Sequence, residues 1–275
     1  METIKMVALD LDGTTLNSKG KLAPEVKTAL EMAIGRGIHV VFATGRSFSA
    51  ISQEVLDIKG IRYILSSNGA RVIDLSDNSV VYENCLEEAA VEDIAIILGK
   101  FSFVYEVFTQ GFAYVGQDHY DAIASLKGTD HRSNYVLKTR KPVKDILAFL
   151  VENKHSIENI NINFVDPNAR LMMKALLSKK ENITLTSSFD HNLEIGGVKT
   201  GKGDAVQMLA KQLEIPTSNI MAVGDSPNDS SMLQVVGFPV AVGNAKDEVK
   251  AFAKHITGTN DEGGVAQAIN QFVLA

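Results

Sequence analysis

The chain holds a single cysteine, Cys85, in 275 residues, which excludes an intramolecular disulfide and any cysteine-rich zinc site. Such sparing use fits a reducing compartment. No apolar run approaches the roughly 20 residues needed to cross a bilayer. No basic segment followed by an apolar stretch opens the chain, so the expectation is a cytoplasmic protein without a signal peptide or membrane association. Basic residues are not in excess either: 27 Lys and Arg against 33 Asp and Glu give a formal charge of −6. That disfavours a nucleic-acid binder relying on a broad basic surface, while leaving room for a local anion pocket. The six histidines show no metal-ligand spacing, and no internal repeat or low-complexity tract is present. What remains is an ordinary globular composition, 45% hydrophobic and 22% charged, in a chain long enough for two domains.

Apolar runs and their punctuation set the expected organisation. Met6–Leu9, 38–43 and 63–66 read as buried strands, separated by helical patterns over 25–36 and 48–58. Strands alternating with helices argue for a parallel sheet wound on both faces. From Asn84 the character changes to alternating polar and apolar residues, as in Ile157-Glu158-Asn159-Ile160-Asn161-Ile162, the mark of an antiparallel sheet. A strand is expected at 135–138 and a helix over 142–153. After Glu194 the α/β pattern resumes, with a helix over 202–212 and a buried strand over 220–223. The expectation is therefore a doubly wound, Rossmann-like α/β core (1–83 and 188–275) carrying an inserted α+β domain (84–187).

Chemistry concentrates where the core strands end. Asp10 and Asp12 close the first strand, Thr44-Gly45-Arg46 follows the second, and Ser67-Asn68-Gly69 the third. Gly224-Asp225-Ser226-Pro227-Asn228-Asp229 follows the strand over 220–223. In an open parallel sheet these ends share one rim, where ligands bind. By itself, Asp-x-Asp also fits a capped turn, and Asp225-Ser226-Pro227 a helix start. Four carboxylates on one rim, Asp10, Asp12, Asp225 and Asp229, repel one another unless a cation relieves them. Oxygen-only ligands of this kind suit Mg²⁺, which shares its shell with phosphate. Thr44 offers a hydroxyl, and Lys202 an ammonium at a helix start, with Lys199 its local competitor. Gly196 to Lys202 satisfies G-x-x-x-x-G-K, but Gly203 stands where a nucleotide-binding P-loop needs Ser or Thr, so that reading fails.

Taken in order, Asp10-Leu11-Asp12-Gly13-Thr14, Thr44-Gly45-Arg46, Lys202-Gly203 and Gly224-Asp225 with Asn228-Asp229 resemble the four motifs of the haloacid-dehalogenase-like phosphohydrolases. Ser67-Asn68-Gly69-Ala70, Leu193-Glu194-Ile195, Val242-Gly243-Asn244-Ala245 and Asp261-Glu262-Gly263-Gly264-Val265-Ala266 resemble its Cof-type branch, and the insertion its C2B-like cap. Ser226-Pro227 is an atypical filling of the fourth motif. The resemblance implies a Mg²⁺-dependent phosphoric monoester hydrolase acting on small phosphorylated metabolites, sugar phosphates first, phosphorylated cofactors or nucleotides next. It implies Asp10 as nucleophile and Asp12 as acid and base, with Thr44 and Lys202 clamping the phosphoryl oxygens. Metal would be held by Asp10, the Asp12 carbonyl, Asp225 and Asp229. Arg46, Asn68 and Asn228 would contact substrate. The competing readings are a phosphomutase or dedicated sugar-phosphate phosphatase of the same superfamily, or a non-catalytic phosphate sensor.

Overall fold

Residue chemistry along Met6–Leu9, four apolar side chains in succession, forces burial on both faces, and all four are buried in β1, the centre of the larger sheet. The computed structural model describes residues 3–125 and 131–275. Two compact units form. One comprises Met1–Gly45, Ile51–Glu83 and Gly201–Ala275; the other comprises Arg46–Ala50 and Asn84–Thr200.

The first unit is built on β1, β2 (His39–Ala43), β3 (Tyr63–Ser66), β4 (Arg71–Asp74) and β5 (Ser79–Glu83). The second contributes β6 (Val104–Thr109), β7 (Phe112–Gly116), β8 (Arg140–Val143), β9 (Ile157–Asn163), β10 (Thr184–Thr186) and β11 (Asn192–Gly196). The chain then returns to the first unit with β12 (Ile220–Gly224), β13 (Phe238–Ala241) and β14 (His255–Ile256). The eight-stranded sheet runs β14-β13-β12-β1-β2-β3-β4-β5. Its first six members are mutually parallel, while β4 and β5 form an antiparallel hairpin at one edge. This is the doubly wound α/β core expected from the alternation of elements.

The six-stranded sheet of the second unit runs β10-β11-β9-β6-β7-β8 and is antiparallel except for the β7–β8 pair. Its apolar side chains Tyr105, Val107, Ile160, Ile162, Leu193 and Ile195 share one buried cluster with Val91, Ile94, Leu150 and Met173 from three helices. On the polar side, Glu106 Oε2 accepts from Arg140 Nη2 at 2.9 Å and from Asn161 Nδ2 at 3.2 Å. Both members of that ion pair are only 7% exposed. The Arg140 guanidinium also packs over Phe108 and Tyr135, 5.5 and 4.9 Å from the ring centroids. Removing one partner strands a buried charge, so Arg140→Met is expected to lower stability by about 3–5 kcal/mol in urea denaturation. An unchanged midpoint would show that the pair contributes nothing.

Four local expectations differ from the structure. The strand expected at 135–138 lies inside the helix His131–Thr139, and the strand follows it as β8. The helix expected from 142 begins at Ile146, because Pro142 sits in the edge strand β8 and Asp145 caps the helix, accepting from Leu147 N and Ala148 N. The helix expected over 48–58 is two single turns, Phe48–Ala50 and Gln53–Leu56. Finally, the second unit runs past 187 to Thr200, because β11 pairs antiparallel with β9 and β10. Among the described residues, no helix is long and apolar enough to cross a membrane.

Candidate active site

The ends of β1, β2, β3 and β12 are neighbours in the sheet, so the segments that follow them meet at one rim of the first unit. Asp10 continues β1: its N–H donates to Val223 O at 3.1 Å, and its carbonyl accepts from Thr15 Oγ1 at 2.5 Å. The chain then turns at Gly13, whose φ is +78° and whose added Cβ would stand 2.7 Å from Asp225 Oδ2. Only glycine lets the β1 loop pass that close to the β12 loop. Thr14 Oγ1 completes the junction by donating to Asp225 Oδ1 at 2.9 Å.

After β12, Ser226 and Asp229 form a capping box with Pro227 at the first helical position. The unusual Ser-Pro pair thus builds the loop it occupies. Asp229 Oδ2 accepts from the N–H groups of Asp225 and Ser226, both at 2.9 Å, which fixes its other oxygen toward Lys202. Asp225 Oδ2 accepts from Ser226 Oγ at 2.9 Å.

Lys202 opens the helix Lys202–Gln212 and is completely buried. Its Nζ donates to Asp10 Oδ1 at 2.6 Å and to Asp229 Oδ1 at 2.7 Å. Gly203, the residue that breaks the P-loop pattern, lies against the following helix: a Cβ there would meet Ser231 O at 2.4 Å. Lys199, by contrast, is exposed.

Asp10, Asp225 and Asp229 each offer an oxygen within 4.8 Å of the others. Burial holds the Asp10 carboxyl well above the ordinary aspartate value, and Asp229, Asp225 and Asp12 add to that against the opposing pull of Lys202. Asp225 is raised as well, by burial first and Asp229 second. Burial alone would lower Lys202; Asp10 and Asp229 instead hold it charged, above the ordinary lysine value. An excess of buried carboxylate over ammonium, with oxygen donors only, is the donor chemistry of a hard divalent cation. Asp12 is exposed and outside this trio of side chains.

On the neighbouring strand ends, Thr44 is buried and its carbonyl accepts from Asn68 N at 2.9 Å. Ser67 and Asn68 both have left-handed backbone, φ 51° and 57°, an uncommon pairing outside functional loops. Asn228 Nδ2 donates to Asn68 Oδ1 at 3.0 Å, while Asn68 Nδ2 is buried with no partner among the described residues. Arg46 is counted with the second unit, donates to Ala50 O at 3.2 Å, and lies 5.1 Å from the Tyr135 ring centroid. The sequence reading missed Thr14, Thr15 and Ser226, hydroxyls whose only signal was adjacency to the aspartates.

The family model for haloacid dehalogenase-like hydrolases matches residues 7–269. The phosphatase YwpJ of Bacillus subtilis (strain 168) is 34% identical over 289 residues, spanning 98% of this chain and all of its own length. The 5-amino-6-(5-phospho-D-ribitylamino)uracil phosphatase YwtE of the same organism is 30% identical, with 98% of each chain covered. Among solved structures, a haloacid dehalogenase-like hydrolase from B. subtilis superimposes with a TM-score of 0.85 at 32% identity, over 97% of this chain and 99% of its own. With four motifs in order and the rim assembled as described, the chain belongs to the haloacid dehalogenase-like hydrolases, as an enzyme of their phosphatase branch.

Proposed function

We propose that the chain is a Mg²⁺-dependent phosphatase for small phosphorylated metabolites, with a hydroxyl-bearing leaving group such as a sugar or sugar alcohol. The substrate named for the YwtE relative, a ribityl phosphate ester, supports that choice. The observation that carries the reading is Lys202, a fully buried ammonium bonded to Asp10 at 2.6 Å and to Asp229 at 2.7 Å. It ties down Asp10 Oδ1, and among the described residues Oδ2 accepts no hydrogen bond. That oxygen is the one left to attack.

In this mechanism Asp10 Oδ2 attacks phosphorus in line with the ester oxygen. The bond to the leaving oxygen breaks, Asp12 gives that oxygen its proton, and an aspartyl-phosphate forms on Asp10. Asp12, now a carboxylate, takes a proton from water, whose oxygen attacks phosphorus; the bond from phosphorus to Asp10 Oδ2 breaks, returning the Asp10 carboxylate and releasing inorganic phosphate. Lys202 and Thr44 bind the phosphoryl oxygens, where charge develops. Asn68 Nδ2, which has no partner among the described residues while Asn228 holds its Oδ1, is a further donor for that group or the substrate. Mg²⁺ would be held by Asp10, Asp225 and the Asp12 carbonyl, with Asp229 supporting, and would neutralise charge on the transferring group.

The test is hydrolysis of p-nitrophenyl phosphate. Release is expected to stop in excess chelator and return when Mg²⁺ is restored. Undiminished release in chelator would sink the metal assignment.

A further inference from the structure

The Asp12 loop folds back on its own backbone, with Asp12 bridging Leu16. The N–H groups of Thr14, Thr15 and Leu16 all point at one carbonyl, Leu11 O, at 3.4, 3.0 and 2.8 Å. Thr15 Oγ1 donates to Asp10 O and Thr14 Oγ1 to Asp225 Oδ1, and further support comes from the far end of the chain. Asn244 Nδ2 donates to Gly13 O at 2.8 Å across 231 residues, and Asn244 Oδ1 accepts from Asn260 N at 2.9 Å. Asn260 Nδ2 in turn donates to Leu16 O at 3.0 Å, and Asp261 Oδ1 accepts from Ser18 N at 2.7 Å. The segment behind them is itself braced, by the Thr259–Glu262 capping box and by Gly243 N donating to Gly258 O at 3.0 Å. Two residues beyond Asn244, Lys246 N donates to Asp225 O at 3.1 Å.

Asn244 is exposed, so apolar burial does not account for its placement. Both ends of its carboxamide are committed to backbone groups on separate loops. The loop it grips carries the one carboxyl that must serve twice in the proposed mechanism, first giving a proton and then taking one. We propose that Asn244, relayed by Asn260 and Asp261, is a positioning residue that sets the Asp12 loop for proton transfer. The inference rests on the acid–base reading of Asp12 given above.

Asn244→Asp turns the donor toward Gly13 O into an acceptor, so the grip becomes a repulsion. A displaced general acid matters most when the leaving oxygen needs a proton. An alkyl phosphate such as glycerol 3-phosphate needs one, whereas p-nitrophenolate departs without it. For Asn244→Asp, kcat/KM on the alkyl phosphate is expected to fall about 100-fold, and on p-nitrophenyl phosphate less than about fivefold. A merely structural defect lowers both alike.

Equal loss on the two substrates, or no loss, overturns the proposal. Asp12→Ala measured in parallel separates the two layers. If it lacks the leaving-group dependence, the reading of Asp12 falls and the positioning role with it. If it shows the dependence and Asn244→Asp does not, the positioning role alone falls. Should Asn244→Asp melt far below the parent, Asn260→Ala removes the bond to Leu16 O and carries the same comparison.

Discussion

Asp10→Asn is expected to abolish turnover, by a factor of about 10⁵ or more, while leaving the fold intact. The substitution keeps the shape of the side chain and removes only the charge and the oxygen proposed to attack. An amide at this position can still accept from Lys202 Nζ, which bonds Asp10 Oδ1 at 2.6 Å in the parent. The electrostatic consequences partly offset one another. Lys202 loses one of two carboxylate partners, but the raised Asp10 carboxyl shows that its charge is itself disfavoured by burial and by Asp229 and Asp225. The melting temperature should therefore stay close to the parent's, measured by circular dichroism, while phosphate release falls to background. Activity above about 1% of the parent would refute Asp10 as the attacking group.

Lys202→Met should act on stability and activity together. The ammonium is the only positive charge bonded to Asp10 and Asp229 among the described residues, and it is completely buried. Without it, two buried carboxylates beside Asp225 lose their counter-charge, at a cost of about 3–5 kcal/mol. For a chain of this size that corresponds to a drop of roughly 10 °C in melting temperature. Turnover should fall at least about 10³-fold, since the clamp on the phosphoryl oxygens proposed above is lost as well. A divalent cation supplies charge to the same cluster, so Mg²⁺ should raise the melting temperature of Lys202→Met more than that of the parent. Equal shifts would separate the lysine from the carboxylate trio.

Much of this was legible in the sequence because strand ends advertise themselves. An apolar run that stops at Asp10 or at Asp225, followed by glycine or proline chemistry, marks both the strand and the residue left at its rim. Lys202 entered the same group as an ammonium opening a helix after Gly201, and the order of the motifs supported it. Tyr135–Lys138 was misread because four residues are too short to separate a period of 2 from one of 3.6. The placement of Asn192–Gly196 was recoverable: Asn192 and Glu194 alternate with Leu193 and Ile195, as an antiparallel strand should, and pair with β9. The partners of Arg46 and the reach of Asn244 to Gly13 were not recoverable, because each depends on where distant segments pack.

The position of β1 between β2 and β12 also constrains how the molecule is made. On the ribosome β1 emerges first and β2 soon after, but Ile220, which registers with Met6, follows only once the whole second unit has been synthesised. At ordinary elongation rates the interval is on the order of ten to forty seconds. Throughout it the most apolar strand of the sheet presents one unpaired edge, a template for joining the wrong neighbour. Birth of this enzyme therefore includes a window in which a chaperone has something to hold, and the end of that window is the arrival of β12.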